Sequence, residues 1–526
     1  MTSYDALIQL FHDFRKYQEP PVVDGVHDYS AGAMSEQLRR LPEFRARLEA
    51  IATTGWTISQ KVDHALVRVE MNGLEFDHRV LRPWERDPAF FSVIESSESD
   101  VPAREAPRMH DTLRLFACSF QLSGEEKEVF SAKIQAIPGI LAHAKTTLTA
   151  KTKDLHFLGI GQKKRESRAL RHLAERLTPM HPDLVPLVEK AGAAVEDFIG
   201  WLEHGYAAMP DSTDGIGMEE FDWAMKHVHL VPYCWEEQEA MIRRELERSW
   251  TALKLEEHRN RNLPPLTPPA TVEEWQARLD AAYPEFLGFL RTHDIFTAPD
   301  YMRVIGAEPR SLVPPEHRDF FTQVSYHHVL PLLCHMVHWL EKQREERNTH
   351  PLRREAPLYN IWDSRAEGFA TAFEETMLQT GILDKAPRAR ELVYILLAFR
   401  AARALGDLYM HGRRWTMRQA MDFAAAGTPR GWVKRDGDTV LGDIGLYLRQ
   451  PGYGTSYVVG KIQFERLVSD RGMQLGDRFN LKEFLDAYFA LGMVPASLIR
   501  WEMTGHEDEI RKLNAFALTS GEEDRK

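Results

Sequence analysis

Four histidines fall within twelve residues, His327, His328, His335 and His338, in the segment Tyr326-His-His-Val-Leu-Pro-Leu-Leu-Cys-His-Met-Val-His-Trp339. The chain holds 22 histidines in 526 residues, so an even spread would put fewer than one in such a window. His335 and His338 are three apart and would share one face of a helix. Neutral imidazole is a common zinc ligand, and two helical ligands on one face suit a tetrahedral site. The usual zinc-hydrolase pattern is His-Glu-x-x-His, in which the glutamate activates water. His335-Met-Val-His338 is one residue short of that pattern and has a methionine in place of the glutamate. The alternative is a partly buried polar helix face whose histidines are hydrogen-bonded.

Three further groups could join this chemistry. In Trp362-Asp-Ser-Arg-Ala-Glu-Gly368, Glu367 is either a third metal ligand or the far end of a capping box begun by Ser364. Glu367, Thr371 and Glu374 then form one helical stripe. The segment from Glu391 to His411 is apolar nearly all round and should be buried, yet Arg400, Arg403, Asp407 and His411 recur along one side. Buried charges need partners, so the stripe is either an Arg403–Asp407 ion pair or the wall of a cleft. The loop Gln450-Pro-Gly-Tyr-Gly-Thr-Ser-Tyr457 leads into an apolar segment ending at Lys461, and it could present N–H groups or Tyr457 to an anion. It lacks the Gly-Lys-Ser/Thr ending of a phosphate loop. His227-Val-His229 and Gly159-Ile-Gly161 carry no comparable pattern.

The elements that must hold these residues read as helices. Amphipathic spacing runs over 34–70, 125–150, 165–178, 185–208 and 234–258. Ser123 and Thr271 are placed to cap helices. Four prolines between Asn262 and Ala270 break the pattern. They divide an N-terminal helical lobe, 1–262, from a C-terminal lobe, 273–518. The C-terminal lobe reads as helices near 272–293, 322–347, 364–380, 388–411, 416–424, 456–471 and 480–491. One β-hairpin is expected over 431–441, turning at Asp436-Gly437. The tail from Ser520 is expected to fray.

The bulk numbers narrow the partners. A net charge of −12 and a pI near 6.0 argue against nucleic acid. The stretch from Phe320 to Leu340 has no Asp, Glu, Lys or Arg, but its four histidines fit a buried site better than a membrane span. The start shows no signal-peptide pattern. Three scattered cysteines, Cys118, Cys234 and Cys334, give no disulfide framework, so a reducing cytoplasm is expected.

Several blocks together resemble a known family. They are Glu367-Gly-Phe-Ala370, Arg400-Ala-Ala-Arg403 with Asp407 and His411, Gln450-Pro-Gly452 with Tyr457 and Lys461, Leu475-Gly-Asp-Arg-Phe479 and Gly492-Met-Val-Pro495. Their order and spacing over about 320–505 resemble the bacterial family called domain of unknown function 885. The resemblance implies a mostly helical, zincin-like fold of two lobes around a central channel, and a metal-dependent peptidase or related hydrolase. That family's hallmark is His-Glu-x-x-Pro-Gly-His-His. One alignment places His327 and Pro331 on it, with His328 in place of the glutamate. The preferred one places Met336-Val-His338-Trp339 on Pro-Gly-His-His, with His335 as the first histidine. Neither keeps the glutamate.

The combined expectation is a metal-dependent hydrolase acting on a small peptide or amide-type substrate. His335, His338 and Glu367 would hold zinc or another divalent metal. His411 and Tyr457 would stabilise an oxyanion, and Glu374 would be a substitute base. Arg403, Lys461 and Tyr453 would bind a substrate derived from a peptide or an amino acid. The alternatives are an inactive pseudoenzyme that binds a ligand, or a metal-dependent enzyme of non-hydrolytic biosynthetic chemistry.

Overall fold

The computed structural model describes residues 2–103, 105–211, 213–303 and 312–523. The N-terminal half runs through α1 (Ser3–Tyr17), α2 (Ala31–Glu49), α3 (Ile58–Phe76), α4 (Pro83–Arg86), α5 (Gly124–Thr147), α6 (Lys153–Leu177), α7 (Val185–Ala207), α8 (Met218–His227) and α9 (Trp235–Arg259). After the prolines come α10 (Val272–Thr292), α11 (Phe320–His327), α12 (Val329–His335), α13 (Val337–Glu345), α14 (Asp363–Thr380), α15 (Ala389–His411) and α16 (Met417–Gly427). The chain then closes with α17 (Asp438–Arg449), α18 (Tyr453–Leu475), α19 (Leu481–Ala490), α20 (Ala496–Thr504) and α21 (Asp508–Glu523). The protein is mostly α, as expected. Of the tail, 520–523 continue α21, and 524–526 lie outside the described residues.

The caps fall where the sequence put them. Ser123 accepts from the Glu126 N–H and Thr271 from the Glu274 N–H, each satisfying a donor the helix leaves free. The hairpin does not. Asp438–Arg449 is helical because Val440, Ile444, Tyr447 and Leu448 form one buried helical face, and Gly437 stands at its N-cap. The Asp-Gly hairpin lies instead at Asp24-Gly25, where Val22 faces His27 and Val23 faces Val26. Both turn residues there have positive φ, 51° and 83°, as a two-residue hairpin turn requires.

The central helices are α14, α15 and α18. Nearly every residue of α15 is buried, so polar groups on it must find partners inside the protein. Helix α9 lies along α15, where the Trp235 indole N–H donates to the Leu408 carbonyl at 2.8 Å. One hydrophobic core draws on Val62 of α3, Trp235 of α9 and Phe369 of α14, and so joins the lobes on either side of the proline-rich segment. Two cavities, of about 740 and 570 Å³, lie between residues of the N-terminal half and residues beyond 330. Both are walled by Glu95, Glu98, Ser99 and Arg108.

The histidine segment is not one helix. Residues expected as a single run over 322–347 form α11, α12 and α13, with breaks at His328 and Met336. The ring of Pro331 would collide with the carbonyl of His327 in a continuous helix. His328 is extended, with φ −164°, and its ring accepts from the Leu330 N–H at 3.4 Å to cap α12. His335 therefore ends one helix, and His338 lies in the first turn of the next.

Candidate metal centre

The break at Met336 turns the two imidazoles nearly perpendicular, with ring planes at 88° and centroids 5.0 Å apart. Their Nε2 atoms still converge. Oε2 of Glu367, from α14, lies 3.3 Å from Nε2 of His335 and 3.3 Å from Nε2 of His338. One ligand atom from each residue fits within a span of 4.8 Å. Zinc bonds of about 2.0–2.1 Å at tetrahedral angles would set neighbouring ligand atoms about 3.3–3.4 Å apart. Two edges of the triangle already have that length, so the residues fit a divalent metal.

Behind each histidine stands a carboxylate, and behind each carboxylate an arginine. Nδ1 of His335 lies 3.0 Å from Oε1 of Glu374, off the line of a hydrogen bond. Arg400 donates to Oε2 of Glu374 at 2.8 Å. Nδ1 of His338 lies 4.0 Å from Glu341, which pairs with Arg365 at 2.7 Å. All four outer residues are buried. A carboxylate on the far ring nitrogen orients an imidazole and raises its basicity as a ligand. Each arginine keeps its carboxylate charged in a dry interior, where an unpaired anion would be costly.

The third wall comes from α18. Tyr453 places its hydroxyl against Oε1 of Glu367, and Oε1 of Glu105 is 2.9 Å from the same hydroxyl. This approach depends on two glycines. A Cβ on Gly368 would lie 2.4 Å from the backbone of Gly460, and one on Gly460 would lie 2.2 Å from the Ser364 carbonyl oxygen. The Glu-Gly pair in the sequence thus joins a candidate ligand to the contact that brings α18 beside it. Glu367 does not cap α14, because the helix begins at Asp363 and its N-cap is Trp362.

Burial alone would raise the Glu367 carboxyl, but His338 and His335 hold it well below the usual range. Burial would lower His338, and the facing Glu367 raises it to about 9. Glu105 moves the other way. Burial and then the nearby Glu367 charge lift it to about 7. A single Tyr453 hydrogen cannot serve two carboxylates, and a proton on Glu105 would complete the chain Glu105–Tyr453–Glu367.

The other expected residues divide into those the fold gathers here and those it uses elsewhere. Tyr457 stacks on His335, with centroids 6.1 Å apart. Tyr453 touches Glu367 itself. Glu374, expected as a base, faces Nδ1 of His335 and is engaged by Arg400. His411 makes none of these contacts. Its Nδ1 accepts from the Ile216 N–H at 3.4 Å, and its Nε2 is 3.0 Å from the Tyr447 carbonyl oxygen. Arg403 pairs with Asp443 at 2.5 Å, not with Asp407, which instead accepts from the Thr455 N–H at the start of α18. Lys461 lies among Glu245, Glu375 and Glu465 at 3.3, 3.2 and 2.5 Å. Neither cation is available to bind a substrate carboxylate.

Sequence reasoning missed Glu105, Glu341, Arg365 and Asp443. Glu341 had a local signal, three residues after His338. Glu105 had none, because its link to Glu367 exists only in the folded chain.

Residues 323–503 match the family described as "Bacterial protein of unknown function (DUF885)". Two solved structures share the fold. A "putative lipoprotein of unknown function" from Shewanella oneidensis superposes with a TM-score of 0.68 at 14% identity, over 95% of this chain and 98% of that one. A "putative lipoprotein" from Colwellia psychrerythraea gives 0.67 at 14% identity, over 98% and 99%. No curated protein matches the chain. Lipoproteins are membrane-anchored and extracytoplasmic, which counts against the cytoplasmic placement expected from the sequence, and that placement is not kept. No helix among the described residues is long and apolar enough to cross a membrane.

Proposed function

We propose that this protein is a metal-dependent hydrolase of small peptide or amide-type substrates, with a zincin-like arrangement at its centre. The observation that carries the reading is the convergence of His335, His338 and Glu367, each histidine backed by its own carboxylate and arginine. Such backing is costly to bury and orients imidazoles for a metal. These three residues would hold the ion, with zinc the first candidate. The ion's chemistry is Lewis-acid polarisation of a carbonyl and activation of water.

The chain's own residues supply the rest. Tyr457, buried beside His335 and kept protonated by burial and by Glu367, is a donor for a carbonyl oxygen that gains charge. Tyr453 fixes Glu367 through its second oxygen. The missing glutamate of the histidine segment favours one second reading, a metal-binding protein without turnover.

The test is metal analysis of protein dialysed against zinc, with dipeptide and N-acyl amino-acid p-nitroanilides as probes, with and without chelator. The expected result is one bound zinc, lost in His335→Ala/His338→Ala, and turnover that the chelator abolishes. Zinc bound equally by the double variant would end the metal reading. Zinc bound without turnover would support the second.

A further inference from the structure

The histidine segment lacks its own water-activating glutamate, and the nearby carboxylates on α13 and α14 are spent. Glu341 is held by Arg365, and Glu374 is held by Arg400 and faces the back of His335. A base must therefore enter from another part of the chain.

Glu105 lies on a loop of the N-terminal half and is nevertheless built into the centre. Its Oε1 meets the Tyr453 hydroxyl, whose other partner is Glu367. Its Oε2 accepts from the Ser99 hydroxyl at 3.1 Å. The next residue, Ala106, donates its N–H to Gln450 at 2.6 Å, and Gln450 donates to Asp363, one turn before Glu367, at 2.9 and 3.0 Å. Ala106 has φ 59°, a left-handed conformation unusual for alanine, and so the backbone bears strain where it places Glu105. Lys342 of α13 holds the same loop through the Ser99 carbonyl at 2.8 Å. Glu105 also lines the 570 Å³ cavity with Met336 and Trp339, the neighbours of His335 and His338. It thus links the centre to the wall of that cavity.

We infer that Glu105 replaces the missing glutamate as the general base and acid of the site. This rests on the hydrolase reading above. Glu105 takes a proton from water as the water oxygen bonds to the amide carbonyl carbon. It then passes that proton to the amide nitrogen as the C–N bond breaks. Water is added across the bond, and nothing is oxidised or reduced.

The experiment compares the full chain with Glu105→Gln and Glu105→Asp. Zinc content and affinity are measured first, and Glu105→Gln should match the parent within about twofold. Turnover of the p-nitroanilide probes should fall about 10²–10⁴-fold in Glu105→Gln, with KM little changed and with partial recovery in Glu105→Asp. A second readout needs no turnover. In Co(II)-loaded protein the visible absorption should titrate with pH, and its midpoint should move in Glu105→Gln. Full turnover in Glu105→Gln, zinc affinity weakened tenfold or more, or an unmoved cobalt midpoint would each overturn the assignment. Those results leave the metal reading standing, because that is decided separately by His335→Ala/His338→Ala.

Discussion

Two buried polar assemblies lie near each other, the histidine–glutamate centre and the last three polar residues of the α15 stripe. Both were expected to carry chemistry. In the stripe the groups turn mainly to separate neighbours: Arg403 to Asp443, Asp407 to the start of α18, and His411 to two backbone groups, with Nε2 of His411 also 3.4 Å from Asp407. In the centre one candidate ligand atom from each of α12, α13 and α14 lies within 4.8 Å of the others, and their partners stand behind them. Polar residues in a core are therefore not evidence of a site by themselves. What separates the two assemblies is whether the polar atoms converge or disperse.

That contrast can be broken most strongly at Asp443. Asp443→Ala should leave Arg403 buried without its partner and lower stability by about 3 kcal/mol in urea denaturation. Zinc content should not change, and a loss of zinc would erase the distinction between the assemblies. A smaller effect of the opposite kind is expected at Glu374. Glu374→Gln should weaken zinc binding about 10–100-fold by competition titration, because it alters the group that orients His335. An unchanged affinity would reduce Glu374 to a partner of Arg400.

Within the histidine segment itself the comparison is sharpened by pH. Burial, then Arg278, lowers His328 to about 4, whereas an unfolded histidine titrates near 6.5. Between those values the unfolded chain holds a proton that the folded chain lacks. Stability present above pH 6.5 should therefore be lost as pH falls toward 4, by at most about 1.4 kcal/mol per pH unit from this group. His328→Asn keeps a side chain able to cap α12 and should flatten the profile of urea midpoint against pH. An unaltered profile would remove His328 as the titrating cap.

The sequence carried the local part of this structure. Helix periodicity and the caps at Ser123 and Thr271 depend on neighbours a few residues apart, whereas Glu367 stands 29 residues beyond His338. Partners across the fold were not legible. Asp443 replaced Asp407 beside Arg403, three glutamates took Lys461, and Glu105 arrived from the other half of the chain. Ion pairs in a core are chosen by which helices pack, and residue spacing along one helix says nothing of that. Two of the three Asp-Gly pairs make the same point. Asp24-Gly25 turned a hairpin, whereas Asp436-Gly437 preceded a segment whose apolar face had helical period.

The contact between Gly368 and Gly460 has a consequence for how change can spread through this molecule. The spacing between α14 and α18 works like a gauge block with no clearance, and it sets the position of the Tyr453 hydroxyl against Glu367. A single added methyl at either glycine would act as a shim. It would displace the tyrosine side of the centre while leaving both histidines, and every residue that bears charge, unaltered. The precision of the site is thus stored partly in two residues that have no side chain with which to take part in it.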